Sequence, residues 1–157
     1  MPQPQRVITK RLGELLVERK VITPEQQAEA LKRQEKEGGL FGQILVGLGY
    51  ATEEAVAQAV TAQYGFPFLP LKSYLIDGEL LQLIPENVAR QYCLVPVDRV
   101  GDSLAVAMAD PLNVKAVEDI EMLNHCSVQI FVSTMSDVAD AIERSYGANH
   151  GTPEGSP

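Results

Sequence analysis

Apolar residues recur at helical spacing through the first third of the chain. Leu12, Leu15 and Leu16 mark a short helix, and Arg19 and Lys20 stand where positive charge suits its carboxyl end. Thr23 is a good N-cap and Pro24 fits the first position of a second helix. Ala28 and Leu31, with Gln27 beside them, predict the buried stripe of that helix. After Gly38-Gly39 the pattern starts again. Ile44, Leu45 and Leu48 predict a third helix ended by Gly49, and Thr52 caps a fourth, with Glu53 and Glu54 in its first turn. Pro67 and Pro70 then exclude regular helix, and Phe66, Phe68 and Leu69 are expected to pin this linker to the surface.

Beyond the linker the pattern shortens and mixes. Residues 77–83 and 85–91 read as brief helices. Residues 94–100 and 103–109 read as strands joined at Gly101-Asp102, and 128–132 as a third strand. A helix is expected over 113–123. A last one, capped at Ser136 or nearby, should run to about Tyr146. The fold class is α+β: a four-helix subdomain over 1–64, a linker at 65–70, and a small α/β subdomain over 71–146 with about three strands. Residues 147–157, rich in Gly, Pro and Ser, read as a disordered linker.

The two helical units are an internal repeat. Residues 11–34 align with 40–63 without a gap, at a constant offset of 29. Identities fall at Gly13/Gly42, Leu16/Leu45, Val17/Val46, Thr23/Thr52, Glu25/Glu54, Ala28/Ala57, Ala30/Ala59 and Gln34/Gln63. Simple stacking of two helical hairpins explains most of this. Two details ask for more. Glycine is a poor helix former, yet Gly13 and Gly42 stand near helix starts, where they let a ligand or another backbone approach. Gln34 and Gln63 place the same amide in the same environment twice.

Composition narrows the function. The net charge of −8 repels a phosphate backbone, so neither DNA nor RNA is expected as the main partner. No apolar run approaches the roughly 20 residues of a bilayer span, and no signal peptide is apparent. Cys93 and Cys126 lie far apart, without metal spacing, and read as free thiols in a reducing cytoplasm. No phosphate-binding loop is present, His125 and His150 are isolated, and no nucleophile has a motif-placed base. Glu118, Asp119 and Glu121 read as a solvated acidic face. No catalytic residue, metal or cofactor is expected, and the chain does not read as an enzyme. Asp110-Pro111 closes a strand before a helix. That aspartate turns the chain, or it is a carboxylate at the end of a strand, where open α/β sheets hold ligands.

These residues resemble the tandem motif of MshEN domains. Arg11-Leu12-Gly13, Leu16-Val17, Val21-Ile22, Leu31 and Gln34 match its first half. Leu40-Phe41-Gly42, Leu45-Val46, Gly49-Tyr50, Val56, Val60 and Gln63 match the second, with 35–39 as the spacer. Residues 65–146, with Ala107-Met108-Ala109-Asp110-Pro111, resemble the rest of the amino-terminal region of type II secretion and type IV pilus assembly ATPases. Lys20, Gln27 and the Leu40-Phe41 pair depart from the motif, which often has Gly and Leu at the first two positions. The resemblance implies a non-catalytic regulatory domain that binds cyclic di-GMP. Arg11 would then bond one guanine, and Asp110 would accept from guanine donors. Leu12, Leu31, Phe41, Val56 and Val60 would supply apolar surface, Gly13 and Gly42 would admit phosphates, and Gln34 and Gln63 would close each motif, with Leu40 opening the second. Expected partners are a downstream ATPase module and the cytoplasmic part of an inner-membrane assembly protein, at the inner face of that membrane. The alternative is a docking module that needs no ligand and anchors the ATPase to that protein.

Overall fold

A computed structural model describes residues 11–72 and 74–147. Of the linker expected over 147–157, Gly147 instead closes a helical turn, and the rest, with His150, lies outside the described residues.

The repeat is visible in the backbone. Helix α1 (Leu12–Glu18) and helix α3 (Phe41–Gly47) are both seven residues long, and their bounds correspond at the offset of 29. Helices α2 (Pro24–Glu37) and α4 (Glu53–Tyr64) start at the same offset, capped by Thr23 and Thr52. Each threonine accepts at 3.1 Å from the amide three residues on. Even the stops match. Val21 N donates to Leu16 O and Lys20 N to Val17 O, while Tyr50 N donates to Leu45 O and Gly49 N to Val46 O. This is the Schellman pattern, which needs one left-handed residue. Gly49 supplies it at φ 78°, and Lys20 adopts it at φ 64°. The lysine standing where the motif often has glycine therefore keeps glycine's backbone conformation.

The two units do not share burial. On α4, Val56, Ala57, Ala59, Val60 and Tyr64 are buried. On α2 only Ala30 is. The stripe expected from Ala28 and Leu31 is not in the core: Ala28 is exposed and Leu31 is 47% exposed. The reason is position. Helix α4 packs between α1, α3 and the sheet, whereas α2 packs mainly on α1 and α3 and leaves most of its surface exposed.

The chain from Gly65 is drawn into the fold more firmly than a surface linker. Phe66 is buried, and Phe68 bridges Val132 in parallel. Val132 N donates to Pro67 O at 2.8 Å, and Leu69 N donates to Val132 O at 2.9 Å. The prolines remove helix but leave these groups free to pair along a strand edge.

Helices α5 (Gly78–Leu81) and α6 (Glu86–Tyr92) lead into strand β1 (Leu94–Val100). Strand β2 (Ser103–Met108) returns antiparallel through Gly101-Asp102, with Gly101 at φ 58°. Helix α7 (Val114–Asn124) crosses over to β3 (Ser127–Val132), which runs parallel to β2. The sheet order is β1-β2-β3. A bulge falls between Pro96 and Asp98, where proline has no amide to donate. Helix α8 (Met135–Ile142), capped by Thr134, ends in one π-helical turn, Glu143–Gly147. Arg144 ties this end down by donating to Tyr74 O at 3.0 Å and Leu71 O at 2.8 Å. Tyr146 donates to Ile84 O at 2.7 Å.

One contiguous core runs from Leu12 to Tyr146, joining the repeat to the sheet. Two contacts show how. A Cβ on Gly42 would lie 3.5 Å from both Leu12 and the Met135 sulfur, so α3 meets the start of α8 closely. Glu53, in the first turn of α4, accepts from Ser136 N at 3.0 Å and from the Ser136 hydroxyl. A carboxylate there complements the amide end of α8.

Candidate functional site

The connection from β2 to α7 follows from its sequence. Pro111 cannot continue the strand ladder, and Asp110 folds back so that its Oδ1 accepts from Leu112 N at 3.1 Å. Asn113 N donates to Asp110 O at 3.2 Å, and Asn113 Oδ1 accepts from Ala116 N at 3.3 Å to cap α7. This is the Asx turn expected of the residue type, and it also presents the carboxylate.

The connection forms one side of a cleft of 790 Å³. Asp110, Leu112, Asn113, Val114 and Lys115 line this side. The first repeat unit forms the other. Arg11, Leu12, Gly13 and Glu14 come from the start of α1, Gln27, Leu31 and Gln34 from α2, and Phe41 from the start of α3. The exposed face of α2 is thus the cleft wall, and Leu31 is an apolar residue facing it.

Arg11 is exposed and precedes the first turn of α1, where its backbone N–H donates to Glu14 Oε1 at 3.0 Å. Asp110 is partly buried, and desolvation outweighs the Leu112 amide to push its pKa from 3.8 up to about 6. Gln34 Nε2 donates to Gly39 O at 3.0 Å and so steadies the spacer beside the cleft. Gly13 is held tightly: a Cβ there would sit 2.9 Å from Gln27 Nε2 and 3.0 Å from the Phe41 ring. The close approach that glycine allows is therefore made by the chain's own side chains. Gln27, the departure from leucine, uses that space.

The residues singled out in the second unit sit elsewhere. Leu40 is a half-buried N-cap of α3, and Gly42 is buried against Leu12 and Met135. Val56 and Val60 are in the core. Gln63 is exposed and accepts from Arg19 Nη1 at 3.3 Å. Of the expected residues, the cleft gathers Arg11 to Gly13, Leu31, Gln34, Phe41 and Asp110.

Sequence reasoning passed over Leu112, Asn113, Val114 and Lys115. Asp110-Pro111 at a strand end was the available signal, because whatever follows such a turn shares its surface. Neither thiol is shifted toward the thiolate form. Burial pushes Cys93 up to about 12, with the Glu53 and Asp110 carboxylates adding to the shift, and burial also raises Cys126.

Comparison with known proteins agrees with this architecture. The MshEN domain family model matches residues 64–152. The type IV pilus assembly ATPase PilB of Myxococcus xanthus is 38% identical over 136 residues, 87% of this chain. The chain spans 24% of that protein's length. The structure of MshE with cdg (cyclic di-GMP) superposes with a TM-score of 0.64 at 29% identity, covering 87% of this chain and 99% of that one. The N-terminal domain of XpsE shares the fold at 21% identity, with a TM-score of 0.67, covering 89% of this chain and 96% of that one. The family match covers more than half of the chain, and the protein belongs to the MshEN domain family.

Proposed function

We propose that this domain binds cyclic di-GMP in the 790 Å³ cleft and acts as a non-catalytic regulatory domain of a secretion or pilus assembly ATPase. One observation carries the reading: Arg11, from the repeat, and Asp110, from the connection after β2, line the same cleft. They are complementary to the two edges of guanine. A guanidinium donates in parallel to the O6 and N7 acceptors, and a carboxylate accepts from N1 and N2. Leu31 and Phe41 offer apolar surface to the purines. The cleft volume falls within the range of small-molecule sites. The MshE neighbour with cyclic di-GMP supports the choice of ligand.

The site spans both halves of the chain, which suggests how it regulates. Ligand favours whichever arrangement of the halves brings Arg11 and Asp110 to it, by the difference in affinity between arrangements. A downstream ATPase module and the cytoplasmic part of an inner-membrane assembly protein are the partners that would read this change. The working location is the cytoplasm, at the membrane's inner face.

The docking reading has one observation in its favour. Gly42, Val56 and Val60 are packed inside, so much of the second motif serves the core. Calorimetric titration with cyclic di-GMP, with cyclic di-AMP and GTP as controls, separates the two. Saturable, selective binding supports the sensor. No heat and no thermal stabilisation at millimolar ligand overturns it in favour of docking.

A further inference from the structure

Cyclic di-GMP carries two phosphodiesters, and a dianion needs cations. Among the described residues lining the cleft, the cations are Arg11 and Lys115, set against the acids Glu14 and Asp110. With Arg11 committed to a guanine edge, Lys115 is the cation left for phosphate. We infer that Lys115 is a further ligand-binding residue of this cleft, whose ammonium leaves Asp119 for a phosphodiester of the bound dinucleotide.

Four observations carry this inference, which rests on the cyclic dinucleotide reading. The Lys115 side chain is 76% exposed, so nothing packed holds its head in place. Its present partner is weak: Asp119 lies one turn along α7, with 3.2 Å between Nζ and Oδ2, in an exposed i,i+4 pair. Such exposed pairs are weak and screened by solvent, and a phosphate facing a cleft competes well with them. Asp119 is also not stranded when Lys115 leaves, because the Tyr92 hydroxyl donates to the same Oδ2 at 2.6 Å. The amide end of α7 begins at Val114 and adds potential of the same sign. Lys115 thus adds its charge to that of the helix end, on a side chain that can follow an anion.

The test is titration of the 157-residue chain with cyclic di-GMP at low and at 1 M salt, for wild type, Lys115→Gln, Lys115→Arg and Asp119→Asn. The expected result is about fivefold weaker binding for Lys115→Gln at low salt, a loss that shrinks at 1 M salt as charges are screened. Lys115→Arg should restore most of the affinity. Asp119→Asn keeps an acceptor for Tyr92 but releases the lysine, so it should tighten binding about twofold at low salt. A structural role for Lys115 would not produce that gain. Wild-type affinity in Lys115→Gln, or unchanged affinity in Asp119→Asn, overturns the inference while the ligand reading stands. Absence of binding by wild type overturns the ligand reading, and this inference with it.

Discussion

Leu31 and Val60 hold equivalent places in the two repeat units, 29 residues apart, yet Val60 is fully buried and Leu31 is 47% exposed on the cleft wall. The same motif position therefore serves packing in one unit and a surface in the other. Val60→Ala should cost roughly 2 kcal/mol of stability, from lost burial and the cavity left behind. Leu31→Ala should stay within about 0.5 kcal/mol of wild type, yet weaken cyclic di-GMP binding about fivefold. Urea unfolding and titration of both variants check this. Equal destabilisation by the two would contradict the asymmetry.

That asymmetry marks the boundary of what the chain's pattern reveals. The offset of 29, the Thr23 and Thr52 caps, the three strands and the Asp110-Pro111 turn are local features, each written in a few neighbouring residues. Which copy of the repeat faces the sheet is not local. Two hairpins of like pattern predict the same buried stripe, and packing against β3 helps decide that α4 is covered and α2 is not. Phe66 was similarly opaque, since proline-flanked aromatics read alike whether they lie on a surface or complete a sheet edge. Nothing in the sequence pattern singles out Lys115 until the fold places it on the cleft that Arg11 also lines.

The matched helix stops give a second prediction. Lys20 and Gly49 share a left-handed conformation, at φ 64° and 78°. That region costs a residue with a Cβ about 1 to 2 kcal/mol, against roughly 0.5 to 1 kcal/mol of chain entropy that glycine loses on folding. Lys20→Gly should therefore stabilise by about 0.5 kcal/mol. A Cβ on Gly49 meets nothing within 4 Å, so Gly49→Ala should cost about 1 kcal/mol from conformation alone. Chemical denaturation of the pair measures both, and opposite signs are expected.

Gly13 and Gly42 should separate in the other direction. Neither has a positive φ. A Cβ on Gly42 would make ordinary contacts at 3.5 Å, so Gly42→Ala should gain a few tenths of a kcal/mol from helix propensity. A Cβ on Gly13 would force Gln27 and the Phe41 ring to shift, both of them cleft-lining side chains. Gly13→Ala should leave stability within about 1 kcal/mol of wild type, the propensity gain offsetting the crowding, but lower ligand affinity. Thermal melts with and without cyclic di-GMP distinguish the two: the ligand-induced rise should survive in Gly42→Ala and shrink in Gly13→Ala.

The carboxyl group of Asp110 makes both folding and binding depend on pH. Its pKa is raised from 3.8 to about 6, so the folded state holds the proton more tightly than the unfolded chain. The resulting stabilisation is complete below pH 3.8 and is lost as pH rises through about 6. At about 1.4 kcal/mol per pH unit, the ionised carboxylate costs up to about 3 kcal/mol at neutral pH, less where water reaches it. Asp110→Asn keeps an acceptor for the Leu112 amide and removes the charge. It should raise stability by about 1 to 3 kcal/mol at pH 7.5, and the gain should fade as pH is lowered below 6. The same change should abolish much of the binding, because an amide cannot accept two guanine donors as a carboxylate can. Guanine N–H donors favour the ionised form, so ligand should lower this pKa. Binding at pH 6 should then release about half a proton per site, and release should vanish by pH 8. Calorimetry in buffers of differing ionisation enthalpy measures that release directly. Buffer-independent heats at pH 6 would remove Asp110 from the ligand's contacts.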